Sequence, residues 1–348
     1  MRVALDATPL SLSTGGLRRY VEELARALLA TFPEDAYLLV SDQPFETATS
    51  MARGRLPGNA LERKWWSYGL PRELARRRID VFHGTNFEVP CVPLRPSVIT
   101  VHDLSPWRDE PWRAGGERVR RRTPFLVGLG LATMVITVSE AIRRETIERF
   151  SVAPERVVAV PLAAAPHLKP VESPRQPPYF AYVGSIEPRK NVETIVAAWR
   201  EVRRKAPVDL VVAGPVRGVE IEPEPGLKLL GEVPESALAP LFSGAVACLF
   251  PSLYEGFGLP VLEAMQCGAP VIVSRDPALT EVAEGGAVQV DARDVRGWAD
   301  AMFAAVSRPE WRAEWSALAM ARARQFSWDD TARKTRDVYS EAIRRHHA

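Results

Sequence analysis

The sequence contains few cysteines and no excess of charge of either sign. The three cysteines, Cys91, Cys248 and Cys267, are scattered along 348 residues, so a disulfide framework is excluded and a reducing cytoplasm is expected. No Cys-x-x-Cys or Cys-x-x-His spacing occurs, which argues against a structural zinc site. With 45 Lys and Arg against 43 Asp and Glu the net charge is only +2, so no whole-molecule field directs the chain to nucleic acid.

Long apolar segments are missing as well. Asp6 interrupts the apolar start of the chain, and Gly15-Gly16 stand where a signal peptide would need to stay hydrophobic. The longest uncharged run, residues 123–139, is shorter than the ~20 apolar residues of a membrane-spanning helix and contains Gly128 and Gly130. We therefore expect neither a signal peptide nor a membrane span, and we interpret this run as the end of a helix followed by a buried strand.

The sequence does contain a series of short apolar runs separated by amphipathic helical stretches. Runs rich in Val, Ile and Leu are typical of parallel strands that are buried on both faces. The expected strands are 2–7, 37–41, 81–83, 98–102, 134–138 and 157–161, and then 179–184, 209–214, 227–231, 246–250, 270–274 and 287–291. Because one hydrophobic core rarely extends beyond roughly 250–300 residues, the pattern predicts two doubly wound α/β domains.

A proline-rich stretch, residues 166–178, separates the two series and is interpreted as a semi-rigid linker. The expected boundaries are 1–168 for the first domain, 169–326 for the second and 327–348 for a terminal amphipathic helix. Ser327 and Asp330 have the spacing of a helix-capping pair at the start of that helix.

Residues that bind ligands are expected directly after the strands, because open parallel sheets bind ligands outside the carboxyl ends of their strands. The densest signal is the segment from Glu255 to Glu263, which reads Glu-Gly-Phe-Gly-Leu-Pro-Val-Leu-Glu. Its glycines permit close approach of a ligand, and Pro260 is preset for the first turn of a helix, whose N-terminus favours an anion. The alternative is a capped helix with two solvated glutamates.

The loop from Gly184 to Asn191 follows the strand 179–184 and resembles a phosphate-binding loop, although it has neither a Walker motif nor a dinucleotide fingerprint. Arg189 and Lys190 offer a forked and a compact cation for a diphosphate. The alternative is a solvated basic pair at the start of a surface helix.

In the first domain, Gly15-Gly16 follow the first strand, where they either admit a substrate or form an ordinary turn. His102 follows another strand and is the histidine best placed to work at a strand end, although a strand-end histidine is often only a hydrogen-bonded residue. Ser139 is interpreted as a helix N-cap.

Together these segments resemble the retaining glycosyltransferases of family 4, also described as glycosyl transferases group 1. The resemblance covers nearly the whole chain. It rests on Gly15-Gly16 with Arg19-Tyr20, Thr100–Asp103, Ile136–Glu140, Gly184 with Arg189–Asn191, Glu255–Glu263 and Phe326–Trp328. It implies the GT-B fold: two Rossmann-like domains that face a central cleft, with the C-terminal helix crossing back to the first domain.

The resemblance also implies roles for individual residues. Catalytic roles fall to Glu255, His102, Arg189 and Lys190. The implied donor-binding set is Gly15, Gly16, Gly184, Ser185, Arg189, Lys190, Val233, Phe257, Gly258, Leu259 and Glu263. In this assignment Glu263 binds the ribose, Val233 lies near the base and His102 faces the reacting side of the sugar. Ser185 stands where many relatives carry a basic residue, which leaves one cation fewer.

The implied activity is transfer of a hexosyl unit, of mannose or glucose type, from a nucleotide diphosphate sugar to a hydroxyl, with retention of configuration, as in polysaccharide biosynthesis. The acceptor is a glycan, a lipid-linked molecule or a small molecule. Neither a metal nor another cofactor is implied, because two cations and a helix N-terminus can stabilise the leaving charge.

Three rivals are an inactive nucleotide-sugar-binding regulator, a nicotinamide-dependent dehydrogenase and another reaction on the same fold, such as that of a phosphorylase or an epimerase. The intact glutamate and basic pairs count against the first, and the missing dinucleotide fingerprint counts against the second. A phosphorylase would usually need pyridoxal phosphate on a lysine, for which the sequence gives no specific signal.

Two basic segments of the first domain suggest association with the inner face of an anionic membrane. Residues 53–78 contain Trp65 and Trp66 among arginines and Lys64, and Arg118 with 120–122 forms a second cluster. The alternative is that the indoles anchor a helix to its own sheet and the arginines are solvated.

Overall fold

The structure is a computed structural model that describes residues 1–13, 15–92, 94–108, 116–173 and 177–347. The chain folds into two units, each with its own sheet. The first contains the described residues up to 162 together with 327–347, and the second contains those of 163–326. Pro174, in the expected linker, lies outside the described residues.

The division after Leu162 comes before the boundary at 168 expected from composition. The reason is Gln266, whose amide donates to the carbonyls of Ala165 and Leu168 at 2.8 and 2.7 Å. The backbone amide of Val171 also donates to Ser243, at 3.2 Å. These contacts hold the start of the proline-rich stretch on the second unit.

The sheet of the first unit has seven parallel strands among the described residues, in the order β3-β2-β1-β4-β5-β6-β7. The strands are β1 (Arg2–Asp6), β2 (Ala36–Val40), β3 (Ala52–Arg53), β4 (Val81–Gly84), β5 (Ser97–Val101), β6 (Met134–Thr137) and β7 (Val157–Ala159). The helices are α1 (Gly16–Thr31), α2 (Leu70–Arg76), α3 (Glu117–Gly128) and α4 (Glu140–Phe150). The connection order reverses between β1 and β4, which makes the carboxyl ends of these two strands the switch point of the sheet.

The sheet of the second unit has six parallel strands in the part of the chain that is described, in the order β10-β9-β8-β11-β12-β13. They are β8 (Tyr179–Val183), β9 (Asp209–Ala213), β10 (Leu227–Gly231), β11 (Cys248–Phe250), β12 (Val271–Ser274) and β13 (Val288–Val290). The helices are α5 (Val192–Arg203), α6 (Leu238–Ser243), α7 (Leu259–Gln266), α8 (Pro277–Ala283), α9 (Val295–Ser307) and α10 (Trp311–Ala323). Here the order reverses between β8 and β11.

The last helix, α11 (Trp328–His347), belongs to the first unit although it follows the second in sequence. The Ser327 hydroxyl caps it by accepting the amide of Asp330 at 3.1 Å, as expected. The Thr331 hydroxyl donates to the carbonyl of Pro161 at 2.7 Å, and Arg336 donates to buried Asp35 at 2.7 Å. These contacts fix α11 on the first unit.

The α/β class is confirmed, and all twelve expected strands are present, eleven of them with shifted ends and 227–231 with the expected ones. The interpretation of 123–139 is also confirmed, because α3 ends at Gly128 and β6 is fully buried. Ser139 caps α4 by accepting the amide of Ile142 at 3.2 Å. The short strand β3 was not expected, since its two exposed residues carry no apolar run.

Candidate active site

Three of the sequence-predicted residues meet at the switch point of the second sheet. Arg189 and Lys190 lie in the loop after β8, and Glu255 lies in the loop after β11. Because β8 and β11 are neighbours, these loops leave the sheet side by side. Arg189 Nη1 is 3.2 Å from a Glu255 oxygen, and Lys190 Nζ pairs with the other. The three side chains are only 12–19% exposed.

Further contacts hold the loop that carries Arg189 and Lys190 in place. Arg189 also donates to the carbonyl of Tyr254 at 3.0 Å and pairs with Glu187 at 2.9 Å. The side-chain amide of Asn191 donates to the carbonyls of Pro251 and Ala292, at 3.1 and 2.6 Å. The cationic pair is therefore preorganised, which is what stabilisation of a developing charge requires.

Glu255 is ionised in this environment. Burial alone would raise the pKa of its carboxyl, but the charges of Lys190 and then Arg189, with hydrogen bonds from Lys190 and Ser252, lower the pKa to about 2. The Ser252 hydroxyl donates at 2.7 Å. The Glu255 carboxylate is therefore ion-paired with both Arg189 and Lys190, the two cations that the sequence analysis assigns to a diphosphate.

The backbone of Glu255 is held by Asp276, a residue that was not expected in the site. Asp276 Oδ2 accepts the Glu255 amide at 3.3 Å, and its Oδ1 accepts the amides of Ala278 and Leu279 at the start of α8 at 3.0 and 3.1 Å. Burial raises the pKa of Asp276 to about 7. An Asp-Pro pair is a helix-start signal, so the sequence could have marked Asp276 as a cap, though not as a support for Glu255.

The next residues lead into helix α7. Gly258 caps this helix with a φ of +96°, and a Cβ there would lie 2.5 Å from a methyl group of Leu279, so only glycine fits. Phe257 is 5% exposed and meets Phe326 edge to face, and Leu259 is 8% exposed. The first amides of α7 thus follow the Glu255 loop directly, where a helix N-terminus favours an anion.

The remaining donor-binding candidates of the second unit lie on α7 and after β8 and β10. Glu263 lies inside α7 and is 1% exposed. Val233 follows β10, the edge strand of the sheet. Gly184 and Ser185 follow β8, where the Ser185 carbonyl accepts the Tyr182 hydroxyl at 2.7 Å.

His102, Gly15 and Gly16 belong to the first unit. His102 Nε2 donates to the carbonyl of Thr85 at 2.8 Å, which leaves Nδ1 as the acceptor nitrogen. Burial lowers the pKa of His102, partly offset by that hydrogen bond and by Asp103, so the imidazole is neutral at neutral pH. Gly15 caps α1 with a φ of +113°, in open surroundings, and Gly16 is the first residue of the helix.

Comparison with known proteins identifies the family. Residues 14–166 match the family model for Glycosyltransferase Family 4, and residues 177–308 match that for Glycosyl transferases group 1. O-antigen chain mannosyltransferase B from Escherichia coli is 32% identical over 285 residues, which are 74% of this chain and 74% of that protein. The chain belongs to glycosyltransferase family 4.

Solved structures agree on the fold of this family 4 glycosyltransferase. Sucrose-phosphate synthase from Thermosynechococcus elongatus has a TM-score of 0.76 and 20% identity, with 98% of both chains covered. HepE from Anabaena, in complex with UDP and glucose, has a TM-score of 0.72 and 16% identity, covering 98% of this chain and all of HepE. The expected GT-B fold class is therefore confirmed, as the family is by the sequence comparisons.

The described residues of this glycosyltransferase contain neither a cluster of metal-binding side chains nor a membrane-spanning helix. In the described ranges, no three His, Cys, Asp or Glu side chains gather in a group that would hold a metal ion. Among the same residues, no helix is both long and apolar enough to cross a lipid bilayer.

Proposed function

We propose that this protein is a retaining, metal-independent hexosyltransferase that moves mannose, or alternatively glucose, from a nucleotide diphosphate sugar to a glycan hydroxyl. The observation that carries the proposal is the meeting of Arg189, Lys190 and Glu255 at the switch point of the second sheet. The similarity to an O-antigen mannosyltransferase favours mannose and polysaccharide biosynthesis.

In the proposed mechanism the diphosphate of the donor takes the place of the Glu255 carboxylate on Arg189 and Lys190. Glu255 then turns to the hydroxyls of the sugar. The acceptor oxygen attacks the anomeric carbon from the face that the diphosphate leaves, the bond from carbon to phosphate oxygen breaks, and that oxygen takes the acceptor proton. The two fixed cations stabilise the charge that develops on the leaving phosphate, which is the work a metal would otherwise do.

Two measurements test this proposal. Nucleotide sugars of mannose and glucose are screened for thermal stabilisation of the protein, since a donor that binds only the folded state raises the melting temperature. The anomeric configuration of the product formed with the best donor is then read by NMR. Retention is expected, and inversion would contradict the mechanism. Donor binding without either hydrolysis or transfer would instead favour an inactive nucleotide-sugar-binding regulator.

We further propose that the first unit associates peripherally with the inner face of an anionic membrane through helix α3, so that the acceptor is lipid-linked. Arg121, Phe125 and Leu129 lie at helical spacing and are exposed, the last two at 66% and 73%, whereas Arg118 and Arg122 are paired with buried Glu88. Cations beside exposed apolar side chains are suited to an anionic interface, where each basic residue contributes about 1 kcal/mol.

The tryptophans of the segment 53–78 do not contribute to this surface. Trp65 is buried, and the Trp66 ring packs edge to face against Phe82 of β4. These indoles therefore anchor their segment to their own unit. Arg76 and Arg77 are paired with buried Glu73. These contacts correspond to the alternative interpretation of the segment, in which its indoles anchor it to its own unit.

Cosedimentation with anionic vesicles at low salt tests the surface. Wild type is expected to pellet, and the double variant Arg121→Glu/Phe125→Ser to remain in solution. Arg72→Glu, an exposed charge reversal elsewhere on the first unit, is the matched control and should pellet like wild type. Equal pelleting of all three proteins, or of none, would refute the membrane proposal and favour a soluble acceptor.

A further inference from the structure

Four buried side chains from four elements of the first unit form one continuous hydrogen-bond chain. Tyr20 of α1 lies 3.0 Å from the Thr100 hydroxyl of β5. The same hydroxyl lies 2.7 Å from His83 Nε2 of β4, and His83 Nδ1 lies 2.7 Å from the Tyr339 hydroxyl of α11. His83, Thr100 and Tyr339 are completely buried, and Tyr20 is 2% exposed.

The orientation of each group in the chain depends on its neighbours. Burial, and secondarily the nearby His102, lowers the pKa of His83 to about 3, so its imidazole is neutral and has one donor and one acceptor nitrogen. If Nδ1 accepts a hydrogen bond from the Tyr339 hydroxyl, Nε2 carries the ring proton and donates to the Thr100 hydroxyl. If Nδ1 donates to Tyr339, Nε2 accepts instead. A change at Tyr339 therefore reaches Thr100 through the two ring nitrogens.

The far end of the chain lies against His102. Thr100 is near the end of β5, and His102 directly follows that strand, two residues after Thr100. Tyr20 contacts both: its hydroxyl bonds Thr100, and its ring meets the His102 ring edge to face at 4.9 Å between centroids. The His102 imidazole is thus held by the Thr85 carbonyl and by the ring of Tyr20, which the hydrogen-bond chain orients.

We propose that Tyr339 of the C-terminal helix is a positioning residue for the glycosyl transfer, which holds His102 in its working orientation through this chain. The inference rests on the proposed role of His102 at the reacting side of the donor sugar. Tyr339 itself touches none of the reacting atoms. Helix α11 would thereby supply a side chain that orients His102, which follows strand β5 of the first unit.

The test compares Tyr339→Phe with Tyr37→Phe. The first removes only the hydroxyl that bonds His83. The second is the matched control, since Tyr37 is also a buried tyrosine of the first unit, and its hydroxyl lies 3.5 Å from Asp35, a residue bound to the same helix α11. The chain has five histidines, so ¹⁵N-histidine NMR can resolve His102 in the intact protein.

In wild type, His102 should show the tautomer protonated at Nε2. We expect Tyr339→Phe to shift or broaden the His102 ring signals and to lower kcat about ten- to a hundredfold, with donor KM within about twofold, because small misplacements of a working group cost this much. Tyr37→Phe should leave the His102 signals and kcat as in wild type. Thermal unfolding of both variants measures the purely structural effect.

Unchanged His102 signals and kcat in Tyr339→Phe would overturn the proposal, as would equal loss of kcat in both variants. If Tyr339→Phe does not fold, Tyr20→Phe at the other end of the chain must show the same signal change and loss of kcat, and its failure to do so would overturn the proposal equally. Full turnover by His102→Ala would remove the proposed role of His102. Independently of that catalytic role, the NMR response of Tyr339→Phe shows whether the hydrogen-bond chain controls the orientation of the His102 ring.

Discussion

Replacing Glu255 by glutamine should destabilise the second unit strongly at neutral pH. The substitution keeps the shape of the side chain and removes the charge that Arg189 and Lys190 neutralise. The pKa of Glu255 falls from 4.5 to about 2 in the folded protein, and each tenfold change in proton affinity is worth about 1.4 kcal/mol. We therefore expect the free energy of unfolding of the second unit to fall by about 3 kcal/mol.

The effect should depend on pH in one direction. A carboxyl whose pKa is lower in the folded than in the unfolded chain stabilises the fold above its unfolded pKa, and this contribution is lost as pH falls through the folded value. The difference between wild type and Glu255→Gln should thus be full above pH ~5 and shrink toward pH ~2. Denaturant unfolding at several pH values, followed by a signal from the second unit, measures it.

The same variant should separate binding from turnover. With the carboxylate gone, both cations are available to a diphosphate, so a nucleoside diphosphate should bind at least as tightly as to wild type, while turnover falls. Glu187→Gln is the control, because Glu187 has one ion pair with Arg189 at a partly exposed site and should cost less than about 1 kcal/mol. Equal stability of Glu255→Gln and wild type at pH 7, or a loss that does not change with pH, would refute this account.

Three further results are expected. Transfer should persist in excess chelator, because Arg189 and Lys190 cover the leaving charge; activity lost to chelator and restored by Mg²⁺ or Mn²⁺ would contradict this. Glu263→Gln should weaken nucleotide binding in calorimetry, and affinity equal to that of wild type would remove its assigned contact with the ribose. The free energy of unfolding of wild type relative to Asp276→Asn should fall as pH rises from about 4 to about 7, because the buried carboxyl keeps a proton that the unfolded chain has lost; a flat difference would show that this carboxyl is ionised throughout.

The sequence was most informative where a local pattern controls the structure. The buried strands were predictable because they are continuous apolar runs, and the sequence placed Arg189 and Glu255 directly after two of them. That these two strands, β8 and β11, are neighbours, so that the side chains meet, is shown only by the fold. A two-residue edge strand such as β3 has no such pattern and was missed.

Contacts made by tertiary packing alone were not predictable. Asp276 reaches the Glu255 amide from a different loop, and Tyr339 reaches His83 across 256 positions of the sequence. Nor does sequence spacing show that the Glu255 carboxylate occupies both cations, because that depends on how two loops approach each other. Such tertiary contacts between side chains are seen only in the three-dimensional structure.

Release of nucleoside diphosphate from a panel of nucleotide sugars tests the central claim most directly. The claim is that Arg189 and Lys190 hold the diphosphate of a sugar donor while the sugar departs. Wild type should release UDP or GDP from at least one donor, and the double variant Arg189→Ala/Lys190→Ala should do so at least about a hundredfold more slowly. Equal release by the double variant, or no release by wild type from any donor in the presence of glycan acceptors, would contradict the claim.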